Sequence, residues 1–220
     1  MTTEEEEITI QTILPPLLLS LSIWTTCYYI SVLSPTGKPT GFESIWISNL
    51  HTLTLVTMAS LSLIEVIPEY IPSCWSTSFF LVDTLDCIWR RDVMWGFHGI
   101  ISLVLNVCTA SHGVHRRLRS ASKGFFTEAS TPFLNYWKTH KSFKSYLLFF
   151  VSFTACRILW VPYFVYNTYQ IHLHGEIDYL IWPSVLFYLL QLAWWVKMVG
   201  MLVWYKTPDE LEKERKKKEW

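Results

Sequence analysis

The sequence predicts an all-α fold, a polytopic membrane helical bundle of about seven spans. Three observations predict it. Hydrophobic residues make up 51% of the chain and charged residues only 16%, against about 25% charged in a soluble domain. Apolar runs approach the roughly 20 residues that a spanning helix needs, over 8–33, 45–66, 76–90, 93–112, 123–137, 144–169 and 178–205. The charges gather outside these runs, in an acidic head at Glu4–Glu7 and a mixed tail holding Lys213, Arg215 and Lys216–Lys218.

The first run follows an acidic N-terminus, and the first basic residue is Lys38. A cleavable signal needs a basic start, so this run reads as a retained span. The polar linker Ser34-Pro35-Thr36-Gly37-Lys38-Pro39 separates it from the second run, which carries His51. The third run is short and holds Asp83 and Asp86 before Arg90 and Arg91; the fourth holds His98. The fifth is also short and contains Glu128 and Pro132. Proline removes a backbone hydrogen bond, so a kink is expected beside Glu128. The third and fifth runs could be tilted or re-entrant. The sixth holds Arg157, and the seventh Gln191 and Lys197. Three regions follow: 1–44 as head and first span, 45–205 as the main membrane domain, and 206–220 as the tail.

Loop charges orient the bundle. With the tail in the cytosol and seven spans, the cytosolic side carries Lys38, Arg90, Arg91, Lys138, Lys141 and Lys144, and the opposite side carries Glu4–Glu7, Glu69, Glu176 and Asp178. Only the loop with Arg116, Arg117, Arg119 and Lys123 disagrees. Trp46, Trp75, Trp89, Trp95, Trp137 and Trp204 lie near run ends, as an aromatic belt requires. The chain ends Lys217-Lys218-Glu219-Trp220. This matches a dilysine retrieval signal on a cytosolic terminus, which implies the endoplasmic reticulum; a snorkelling charge run is the alternative.

Helix rise then sets depth. Asp86 lies ~6 Å, His98 ~8 Å, His51 ~9 Å and Asp83 ~10 Å from the cytosolic ends of their segments. Two carboxylates and two imidazoles thus share a layer, and Asp83 and Asp86 share a helical face. A second layer is deeper, with Glu128 at ~15 Å and Arg157 at ~20 Å. Each alone is expensive in hydrocarbon, so a buried ion pair between the fifth and sixth segments is expected.

Other classes are disfavoured. Formal net charge is zero, which provides no basic field for nucleic acid. The five cysteines are scattered, without a C-x-x-C pair, so no disulfide framework or zinc ribbon is indicated. His112-x-x-His115 and His172-x-His174 have metal-like spacing but no acidic or thiol partner, so no metal site is expected.

The octet Glu128-Ala129-Ser130-Thr131-Pro132-Phe133-Leu134-Asn135 resembles the signature of the TLC-domain family, which includes the ceramide synthases and the translocating-chain-associating membrane proteins. Asn49-Leu50-His51, Asp83, Arg157 and Gln191-Leu192-Ala193-Trp194-Trp195 are similar to further family motifs in the same order. The resemblance implies a bundle of tilted helices around a lipid-accessible central cavity. It also implies that His51, Glu128, Asn135, Arg157 and Gln191 contact a lipid substrate or ligand. Ceramide synthases carry adjacent histidines where this chain has His98-Gly99, and the octet is closer to the other branches.

Three functions remain open. One is lipid handling: binding acyl lipids, or regulating membrane lipid composition. Another is an acyl-CoA-dependent acyltransferase, with His98 acting beside Asp83 or Asp86 and acyl-CoA as co-substrate rather than a bound cofactor. The third is a non-catalytic structural or trafficking subunit. The partners expected are membrane lipids and other membrane proteins.

Overall fold

The computed structural model describes residues 10–32, 45–111, 113–172 and 180–203, and all regular structure among them is helical. The acidic head, the Ser34–Pro39 linker, Trp204 and the dilysine tail lie outside the described residues.

The long helices are α1 (Ile10–Val32), α2 (Ile45–Leu63), α3 (Tyr70–Trp89) and α4 (Val93–Ser111). Short helices α5 (Gly113–Arg117) and α6 (Ser120–Phe125) lead into a 3-10 turn at Phe126–Ser130 and then α7 (Thr131–His140). After them come α8 (Phe143–Phe153), a π-helical turn at Thr154–Leu159, α9 (Trp160–His172) and α10 (Ile181–Val203).

By length and hydropathy, four stretches could cross a membrane: Ile10–Ser31, Val93–Ser111, Phe143–Tyr166 and Ile181–Val203. Helices α2 and α3 have 19 and 20 residues. They carry many polar side chains, and a set of those turns inward: His51, Thr52 and Ser62 are buried on α2, and Ser73, Ser76, Ser78, Thr84 and Asp86 on α3. The third segment is longer than its apolar run suggests, because Pro72 is tolerated in its first turn. The fifth is not one helix. It is broken by the 3-10 turn that contains Glu128, and Pro132 enters α7 at its first turn, where a missing N–H costs nothing.

Buried polar side chains outnumber buried apolar ones among the described residues, while Leu53, Leu85, Trp89, Val107, Val151, Leu159 and Val196 are exposed. A water-soluble fold has the opposite pattern. In lipid the outer face needs no polar cover, and helices associate through small residues and hydrogen bonds.

Helix α1 lies along α3 through such bonds. Ser20 and Ser78 hydroxyls are 2.7 Å apart, Trp24 Nε1 donates to the Trp75 carbonyl at 3.2 Å, and the Tyr28 hydroxyl donates to Asp86 at 3.0 Å. Helices α3 and α4 form a hairpin whose turn places Arg91 at φ 60. The hairpin closes tightly because α4 offers glycines. Gly96 lies against Cys87, and a Cβ at Gly99 would collide with the Thr84 hydroxyl.

The tryptophans only partly form a belt. Trp46 and Trp89 are exposed. Trp75 instead donates to Thr54 at 2.9 Å, and Trp137 packs against Tyr146 and Phe149 inside the bundle.

Candidate functional site

A pocket of about 310 Å³ opens among α2, α3, α4, α7, α8 and α10. That volume falls in the usual range for small-molecule sites. Its walls include Phe79, Phe80, Trp95, Phe149, Phe153, Trp194, Met198 and Met201; its polar lining includes Asp83, His98, Glu128, Asn135 and Arg157.

The best-defined part is the Arg157 network. The π-helical turn inserts an extra residue into the helix repeat, and Arg157 within it is buried. Its Nη2 meets Glu128 Oε1 at 3.2 Å, the ion pair expected from depth. Its Nε donates to the Thr127 carbonyl at 3.1 Å and to Ser130 Oγ at 3.0 Å. Nη1 donates to Gln191 Oε1 at 3.1 Å, and Nη2 also to Thr131 Oγ1 at 3.3 Å. Thr131 in turn donates to Glu128 Oε2 at 2.9 Å. The octet's carboxylate and both its hydroxyls therefore converge on one guanidinium. The 3-10 turn makes this possible by turning Thr127, Glu128 and Ser130 inward together. Asn135, one α7 turn on, donates to Asn49 Oδ1 at 2.7 Å and ties α7 to α2.

His98 is the polar residue of the pocket's aromatic side. Phe187 stacks on it at 5.7 Å; Trp194 is 5.3 Å away, and Phe80 and Trp95 are edge-on at 6.1 Å. Its Nδ1 is buried and has no hydrogen-bond partner among the described residues. Buried polar atoms are usually satisfied, so this enclosed nitrogen is an exception within the site.

The expected layer of two carboxylates and two imidazoles divides. Asp83 and His98 line the pocket; Asp86 and His51 do not. Asp86 turns toward α1, accepting from Tyr28, and holds Arg90 at 2.7 Å. Asp86, expected as a candidate catalytic partner of His98, thus has Tyr28 and Arg90 as neighbours and is not among the residues lining the pocket. His51 stacks on Phe79 with centroids 3.6 Å apart and sits behind the pocket wall. Gln191 also lies outside the lining and reaches the site through Arg157.

Sequence reading missed the aromatic enclosure of His98 and the role of Trp194. The signal was present: Gln191, Trp194, Met198 and Met201 follow the i, i+3, i+7, i+10 pattern of one helical face. It also read Glu69 as a loop charge. Glu69 is buried, accepting from Ser62 at 2.7 Å and from the Ser122 amide at 2.8 Å, and so anchors α6.

A family model described as the TLC domain matches residues 16–200. The chain belongs to the TLC-domain family. Neither a curated protein nor a solved structure matches it. The TLC match begins within α1, which the sequence reading had set apart with the acidic head. The Arg157 network, the pocket and both halves of the α3–α4 hairpin all fall within the TLC domain.

Proposed function

We propose that this TLC-domain protein handles membrane lipid, taking an acyl chain into the 310 Å³ pocket. The observation that carries the reading is the lining: aromatic and methionine walls, with His98 and the Glu128–Arg157 pair at fixed positions. Apolar walls suit a chain, and a few placed polar groups suit its head or linkage. On this reading all seven helical stretches cross the membrane, the tail is cytosolic, and the dilysine end retains the protein in the endoplasmic reticulum. A photoactivatable fatty acid added to membranes should label peptides containing Trp194 or Phe149. Met198→Trp, which fills the pocket, should suppress that labelling. Equal labelling in the filled variant would place the lipid elsewhere.

A specific observation favours acyl transfer as the second reading: His98 lines this site, and its buried Nδ1 has no hydrogen-bond partner among the described residues. A neutral imidazole could take the proton from an amine or hydroxyl as it bonds to the acyl carbon of acyl-CoA, and return it to the coenzyme A sulfur as the thioester C–S bond breaks. Gly99 limits the comparison with paired-histidine enzymes, since any side chain there meets Thr84. Purified protein given labelled acyl-CoA and lysolipid or amine acceptors tests this reading. Product that persists in His98→Ala would exclude His98, and no product with any acceptor leaves lipid binding alone.

A further inference from the structure

The pocket's charged residues are not balanced. Arg90, Lys138, Arg157 and Lys197 line it, against Asp83 and Glu128. Two of these cations are committed: Arg157 to Glu128, and Arg90 to Asp86. Lys138 and Lys197 have no carboxylate partner among the described residues. Lys138 lies in the last turn of α7 and Lys197 near the end of α10. Both are at the end of the bundle where α3 also finishes and α4 and α8 begin. Lys138 Nζ stands 5.6 Å from the Trp95 ring, a cation–π contact that keeps the ammonium over the pocket.

We propose that the pocket seats an amphiphile with an anionic phosphate head, held between Lys138 and Lys197. The proposal rests on the lipid-pocket reading and names the chemistry of the head. Each ammonium is a compact cation with three donors, well suited to non-bridging phosphate oxygens. A chain attached to that head would run between Leu134, Phe149, Phe153, Trp194 and Met198 toward His98. A neutral head would leave the two lysines facing a pocket whose remaining lining carboxylate is Asp83, an excess of positive charge.

The test is native mass spectrometry of the full chain in detergent, titrated with phosphatidic acid, phosphatidylcholine and diacylglycerol of identical acyl composition. Phosphatidic acid is expected to bind most tightly. The double variant Lys138→Gln/Lys197→Gln should weaken it about tenfold or more, given two lost charge contacts, and leave diacylglycerol unchanged. Lys144→Gln is the control for diffuse surface charge, being exposed at the same end but outside the pocket lining; it should change nothing. Inorganic phosphate should compete only weakly, because it lacks the chain. Equal affinity for phosphatidic acid and diacylglycerol would overturn the headgroup assignment while leaving the lipid pocket standing. So would weakening by Lys144→Gln as large as by the double variant. Displacement by inorganic phosphate as readily as by lipid would mean a soluble anion is the occupant, and binding of acyl-CoA but not phosphatidic acid would assign the lysines to a soluble thioester. Failure of every lipid to bind would overturn both readings.

Discussion

Arg157 donates five hydrogen bonds, to the Thr127 carbonyl, Ser130, Glu128, Thr131 and Gln191. Removing it strands Glu128 without a counter-charge. Arg157→Met should destabilise the protein by about 3–5 kcal/mol, read as a drop in thermal midpoint in detergent. Adding Glu128→Leu should recover part of the loss, because the buried charge is then gone as well. An Arg157→Met variant as stable as the parent would mean the pair carries no structural weight. Gly99 gives a second test at this scale. A methyl at this position meets the Thr84 hydroxyl, so Gly99→Ala should cost about 1–3 kcal/mol through overpacking. Thr84→Ala in the same chain should restore much of it. A Gly99→Ala midpoint equal to the parent's would show that α3 can move aside freely.

At the scale of the element, α8 starts with a capping box: Ser142 accepts from the Ser145 amide at 3.1 Å, and Ser145 Oγ accepts from the Ser142 amide at 3.1 Å. Ser142→Ala should therefore lower stability by about 1 kcal/mol, visible as a modest shift in midpoint, with Ser142→Asp close to neutral. Loss of folding in Ser142→Ala would mean that this turn does more than cap. Elements were read from the sequence with uneven success. Arg157 and Glu128 could be paired in advance because a lone charge in hydrocarbon is so costly that depth alone nearly decides its partner. Asp86 could not be assigned in advance. Its i, i+3 relation to Asp83 gives one broad face, and a single helix turn separates the residue facing the pocket from the one facing Tyr28. The 3-10 break at Phe126–Ser130 was legible only as a kink at Pro132, since proline marks where regular bonding fails but not how the chain upstream repairs it. His98 was found, but its aromatic enclosure depends on α10, whose distance in sequence hides the contact.

For the whole molecule, the proposed topology places the two termini on opposite sides. Tags at each end, probed by protease in sealed microsomes, should show the C-terminal tag cleaved and the N-terminal tag protected. Both tags on one side would mean an even number of crossings, with the broken 120–140 stretch the first candidate for a re-entrant loop. The hydrogen bonds between α1 and α3 carry a consequence for biogenesis. Helix α3 must carry Asp83 and Asp86 into the membrane region with its C-terminal half, and a carboxylate is costly there until it has a partner. The groups that meet Asp86 are Tyr28, made earlier, and Arg90, made four residues later. Entry of α3 into the bilayer should therefore wait for its own C-terminal end and depend on α1 already standing there. A full-length chain carrying Tyr28→Phe and Arg90→Ala should insert α3 less completely than the parent, read by a glycosylation reporter in the α3–α4 turn, so that the order of synthesis becomes part of how the fold is reached.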